Sequence, residues 1–184
     1  MPMENIPSVL AHGILSHERA SKLVHATVAM QAIQDKRDKK QVPRGLKLHQ
    51  YANLYFHARN PMMSKRRHEA PKLCVLRVSR RVLGIQGAVI TDQNAASDYA
   101  RFHAPEQIGL LNLNDIFAHS WKHPEDQIRE WKHSSAKCAE VLIPERIPPE
   151  LIEGAFVLDS IAKHFLTGIG FPHSISIDAD LFFH

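Results

Sequence analysis

Apolar residues recur along this chain in short blocks, and the spacing inside each block predicts the element it forms. In residues 5–13 a proline lies near the start and a glycine just past the end, which predicts a short capped helix, after which Ile14 and Leu15 lead into the core. Residues 18–40 carry Leu23, Val24, Val28, Met30 and Ile33 at loose helical spacing and finish in a charged run, 35–40, read as a solvated face. Pro43 and Gly45 mark a turn before the aromatic-rich strand 51–56. Runs 73–78 and 88–90 have the apolar character of interior strands, and 94–102 fits a short helix begun by an asparagine cap. Residues 113–133 predict two helices broken at Pro124, with Trp121 and Trp131 packing in the core and at its rim. A strand over 139–143 stops at Pro144, and 148–153, 155–158, 160–166 and 174–183 follow as helix, strand, helix and strand. This mixed order argues for an α+β fold.

Composition narrows the class. With 184 residues, 44% apolar and 23% charged, the chain can bury one core, so a single domain over 1–184 is expected. No apolar run approaches the length of a membrane span, and residues 1–15 lack a signal-peptide pattern, so a soluble, cytoplasmic protein is expected. Lysine and arginine number 23 against 19 acids, a balance of +4 that suits a nucleic-acid partner without resembling a histone-like binder. Cys74 and Cys138 lack paired spacing and read as buried thiols. His119 and His123 have the i, i+4 spacing of a helix face but no acidic third ligand, so no metal is expected. Neither a dinucleotide-binding GxGxxG nor a Walker phosphate loop is present, so any nucleotide is held another way.

Two stretches carry unusual chemistry. Residues 48–67 join an aromatic strand to Asn60-Pro61, two methionines and the basic run Lys65-Arg66-Arg67, which together read as a pocket rim facing an anionic partner. Further on, Glu140 stands inside an otherwise apolar strand, where a carboxylate is costly unless it is paired, exposed at the strand end or catalytic. Lys132, His133 and Lys137 before it suggest a mobile loop feeding the strand.

Four segments in order, ENIPSVLAHGIL (4–15), YANLYFHARNPMM (51–63), TDQNAASDYARF (91–102) and AEVLIP (139–144), resemble the DarT family of DNA ADP-ribosyltransferase toxins. The closing DLFFH is similar to that family's C-terminal strand. The resemblance implies an ADP-ribosyltransferase fold: a split, curved β-sheet core with flanking helices and a central NAD cleft. It implies transfer of ADP-ribose from NAD to a base, thymidine or guanosine, in single-stranded DNA, with no metal, and a macrodomain antitoxin as partner of a monomeric toxin. By the same resemblance Glu140 is the catalytic glutamate and Arg37 the catalytic arginine, and Asn5, Gly13, Arg37 and Tyr55 meet NAD. Tyr51, Arg59, Met62, Lys65, Arg66, Arg67, Asn94 and His103 are then expected along the DNA. Pro2 stands where the family's opening strand carries a histidine.

Those roles suit the chemistry. Breaking the bond to nicotinamide leaves an oxocarbenium-like ribose, which a fixed carboxylate stabilises, and the same carboxylate can accept the attacking base's proton. The Watson–Crick edge of a base is unavailable inside a duplex, so the target is unpaired. Modification of RNA or protein, and a non-catalytic nucleic-acid-binding relative, are the competing readings.

Overall fold

The computed structural model describes residues 1–27 and 29–184. In chain order the described helices and strands are α1 (Ile6–His12), β1 (Ile14–Leu15), α2 (His17–Ala20), α3 (Gln31–Asp38), β2 (Tyr51–Tyr55), α4 (Pro61–Lys65), β3 (Cys74–Val78), β4 (Val89–Thr91) and β5 (Phe102–His103). They continue with α5 (Leu113–Phe117), α6 (Gln127–Ala136), β6 (Glu140–Pro144), β7 (Arg146–Ile147), β8 (Ile152–Val157), α7 (Ser160–Gly168) and β9 (Ser174–Ile177).

Two larger sheets divide the molecule, beside the two-stranded antiparallel pair β1-β7. One has the order β2-β6-β4-β5 and is antiparallel throughout; the other has the order β3-β8-β9, with β8 and β9 parallel. Strand β6 holds the centre of the first sheet because four of its five residues are buried and the apolar run can pair on both edges. Ala52, Ile90, Val141, Ile143 and Ile147 form the core on one face of that sheet, with Ile116 of α5 packed against them. The second core joins α1 and α7 to the other sheet through Ile6, Val9, Cys74, Val157 and Leu166. Helix α1 ends at Gly13 (φ +86°), where a Cβ would lie 2.1 Å from the Ile147 carbonyl oxygen, so only glycine fits the turn.

Several expected elements differ. The helical spacing of 18–40 resolves into α2, capped by the Ser16 side chain, and α3; Val28 lies outside the described residues. Residues 94–100 form turns rather than a helix, because the Asn94 side chain accepts the Ala96 N–H and closes the backbone locally. The two helices of 113–133 are present as α5 and α6, but His119 and His123 lie in the segment between them. Trp121 is 8% exposed, whereas Trp131 is 64% exposed on α6 and packs in no core. Residues 149–151 make one tight 3-10 turn before β8. The C-terminal segment is a strand only to Ile177; Asp180–Phe182 is a 3-10 turn that seats Phe182 in a small core with Leu73. Before β6, Lys137 is fully buried rather than part of an exposed loop. Cys74 is buried, Cys138 is partly buried, and both are free thiols. Among the described residues no helix is long and apolar enough to cross a membrane.

Candidate active site

Glu140 opens β6 and is 0% exposed. An isolated ion there is prohibitively costly, and the chain supplies two partners that make three hydrogen bonds. Arg37 Nη1 donates to Oε1 at 3.2 Å and to Oε2 at 3.0 Å, and the Ala95 N–H donates to Oε1 at 3.2 Å. The Glu140 N–H in turn donates to Thr91 Oγ1 at 3.0 Å, and that hydroxyl donates to the Gln93 carbonyl at 2.6 Å. The TDQNA motif therefore has a physical reading. Thr91 at the end of β4 fixes the start of β6, and the Asn94 turn aims a backbone N–H at the carboxylate.

Arg37 comes from the last turn of α3 and is 5% exposed, so the charged run is not a wholly solvated face. Its Nη2 is buried and has no hydrogen-bond partner among the described residues, which leaves a donor free for an incoming acceptor. Burial pushes the Glu140 carboxyl above the usual carboxylate range, against the opposing pull of Arg37 and the Ala95 N–H. Tyr55, the cross-strand partner of Glu140, has its phenol pushed up by burial and then by Glu140, so it stays neutral and can donate a hydrogen bond. The Cys138 thiol is pushed up to about 12 by the same two causes and is a poor nucleophile.

Two cavities open nearby, reached by the neighbours Tyr55 and Cys138, while the buried Glu140 and Arg37 side chains line neither. The larger, about 790 Å³, runs between β2 and β3 and is lined by Asn53, Tyr55, Phe56, Val75, Arg77 and Met62, among others. The smaller, about 460 Å³, is lined by Lys36, Met62, Lys65, Asn94, Tyr99 and Cys138, among others. Met62 lines both, so they meet at the first turn of α4. Tyr55 stands on the wall of one and Cys138, two residues before Glu140, on the wall of the other. Asn60 makes this junction rigid: its side chain accepts the Met63 N–H and donates to the His57 carbonyl.

The other expected site residues separate. Met62, Lys65 and Asn94 face the smaller cavity. Tyr51 is buried in a core with Leu48 and Leu142, its hydroxyl accepting the Leu46 N–H, so it lies off any DNA-facing surface. Arg59 is spent internally: it donates to the His119 and Asp180 carbonyls, pairs with the Asp180 carboxylate at 3.4 Å and lies 4.0 Å over the Phe183 ring. Arg66 pairs with Glu69 and lines the larger cavity instead, and Arg67 is exposed. His103 pairs with Ile90 at the sheet edge and lines neither cavity. Asn5 holds Ala26 through both its side-chain atoms, and Gly13 is required by the α1 turn; neither lines these cavities. Pro2 is buried against Leu73 at the free edge of β3.

Sequence reasoning missed Thr91, Ala95 and Lys36. It also missed a buried lysine. Lys137 Nζ donates to the Ile116 and Ala118 carbonyls at 3.1 and 2.5 Å and bonds His57 Nδ1 at 2.7 Å, tying α5 to the turn after β2. Desolvation lowers its pKa to about 8. Among the described residues no group of three or more side chains is placed to hold a metal ion.

Two sheets parted by a cleft, a carboxylate opening the central strand and an arginine reaching it from a flanking helix define the ADP-ribosyltransferase class. The chain belongs to the family described as ssDNA thymidine ADP-ribosyltransferase, DarT, whose model matches residues 1–183. It is 26% identical over 169 residues to a DNA ADP-ribosyl transferase–DNA ADP-ribosyl glycohydrolase fusion protein of Thermosipho africanus, covering 85% of this chain but only 41% of that relative. It is 27% identical over 163 residues to a DNA ADP-ribosyl transferase of Thermus sp. strain 2.9, covering 82% of this chain and 75% of the relative. The structure of the Thermus sp. 2.9 DarT in complex with ADP-ribosylated ssDNA superposes with a TM-score of 0.86 at 25% identity, covering 99% of this chain and 93% of that one. The same Thermus protein in complex with NAD+ shares the fold, with a TM-score of 0.79 at 22% identity over 99% and 94% of the two chains.

Proposed function

We propose that this chain transfers ADP-ribose from NAD to thymidine in single-stranded DNA, releasing nicotinamide. The observation that carries this reading is the buried Glu140 carboxylate, held by Arg37 and the Ala95 N–H with its backbone fixed by Thr91, on a strand whose neighbours Tyr55 and Cys138 reach two cavities. The larger cavity suits the dinucleotide, with Tyr55 as a neutral donor on its wall. The smaller, with Lys36 and Lys65 on its lining, suits an unpaired base and its phosphates. When NAD is bound it supplies the electrophilic sugar carbon. Glu140 stabilises the positive charge that develops there and accepts the proton of the attacking base nitrogen, while Arg37 holds the acid in place and offers Nη2 to an oxygen of the substrate.

The reading places the protein in the cytoplasm, where NAD and single-stranded DNA are both present. Its mark is removed by a glycohydrolase of the kind fused to the transferase in the Thermosipho relative. Incubation with labelled NAD and single-stranded oligonucleotides tests it. Label is expected on thymidine-containing DNA and absent with Glu140→Ala; label on RNA or protein acceptors instead overturns the choice of acceptor.

A further inference from the structure

Tyr99 is 85% exposed, more than any other Phe, Trp or Tyr ring among the described residues. Its loop is nonetheless tightly held. Ala95 and Ala96 are buried, Ser97 Oγ accepts the Tyr99 N–H, and Asp92 accepts the Arg101 N–H. Lys40 bonds the Ser97 carbonyl and pairs with Asp98 at 3.0 Å. A side chain on so firmly anchored a turn is presented rather than loose. The ring also lines the smaller cavity, together with Lys36 and Lys65, and the same loop donates the Ala95 N–H to Glu140. An exposed ring beside cations, on the lining of a cavity that Cys138 reaches two residues before the reacting acid, is the arrangement by which single strands are held: phosphates on the cations and a base face on the ring.

We propose that Tyr99 is the stacking platform for a base adjacent to the modified one, and so sets how tightly the acceptor strand is held in register with Glu140. This rests on the single-stranded DNA reading above. Stacking needs the ring and not the hydroxyl, so Tyr99→Phe retains wild-type behaviour. In contrast, Tyr99→Ala raises the oligonucleotide KM about 5- to 150-fold, the range that one stacked base supplies. Replacing bases flanking the target one at a time by abasic sites locates the partner. In the wild type one flanking position is costly to lose, and in Tyr99→Ala that same position becomes indifferent.

The NAD-induced rise in melting temperature is measured in parallel and is retained in Tyr99→Ala. If the wild type labels DNA and Tyr99→Ala has an unchanged oligonucleotide KM, the stacking role is overturned while the transferase reading stands. A Tyr99→Phe variant as impaired as Tyr99→Ala also overturns it, in favour of a hydroxyl contact. A wild type that labels no DNA and binds no oligonucleotide overturns both.

Discussion

Removing the guanidinium of Arg37 tests the physical core of the site. The Arg37–Glu140 contact is buried on both sides, with one nitrogen 3.0 and 3.2 Å from the two carboxylate oxygens, and among the described residues the only other donor to those oxygens is the Ala95 N–H. Arg37→Met leaves a fully desolvated carboxylate with one weak partner, a loss of about 3–5 kcal/mol. At roughly 2–4 °C per kcal/mol for a chain of this size, the melting temperature falls by about 6–20 °C. Glu140→Gln alone strands the arginine at a similar cost. The double variant removes both charges, so it loses much less than the sum of the two, and the cycle isolates the coupling. Acid has a definite sign as well. With Arg37 gone, the folded pKa of Glu140 rises further above its unfolded value of 4.5. The stability this contributes is whole below 4.5 and lost as pH rises through the folded pKa, so the deficit of Arg37→Met shrinks on acidification. Denaturation of the four proteins between pH 4 and 8 is the assay. Additive losses, or an Arg37→Met protein as stable as wild type at neutral pH, refute the reasoning.

Other perturbations separate positioning, binding and folding. Thr91→Val removes the acceptor of the Glu140 N–H without changing side-chain shape; denaturation should show a loss of about 1–3 kcal/mol, and steady-state kinetics a fall in kcat larger than any rise in the KM for NAD. Because Arg59 is occupied by Asp180 and Phe183, Arg59→Ala lowers the melting temperature and leaves the salt dependence of oligonucleotide binding unchanged. Lys65→Ala does the reverse, reducing the slope of log K against log salt by about 0.7. Lys137 titrates near 8 when folded against 10.5 when unfolded, so the cost of burying its charge is full below pH 8 and relieved as pH climbs toward 10.5. Wild type therefore gains stability relative to Lys137→Met across that window; parallel melting curves from pH 7 to 10.5 check it.

Glu140 was legible because one carboxylate in the run Ala139–Ile143 breaks an apolar strand and demands a partner. Its partner Arg37 was named only by the family resemblance, not by the residues around it. Arg37 sits among five other charged residues, and nothing in that composition marks which one turns inward to reach a strand 103 residues away. Thr91 and Ala95 act through a hydroxyl and a backbone N–H, donors and acceptors that every such residue carries, so only the closed turn reveals them. Most strands followed their apolar runs. The misread segments are those where side chains bond the local backbone or a distant tail: the Asn94 turn replaced a helix, and the Arg59 clamp on Asp180–Phe182 took a cation expected at the DNA. The basic run after Met62 was divided in the same way, Lys65 reaching the smaller cavity and Arg66 closing on Glu69.

Mass spectrometry of the acceptor strand after a single turnover bears most directly on the claim that Glu140 couples loss of nicotinamide to attack by a base. The account predicts one ADP-ribose on a thymidine for each nicotinamide released, with both products lost together in Glu140→Gln. Nicotinamide release into water with unmodified DNA, or equal modification by Glu140→Gln, contradicts it.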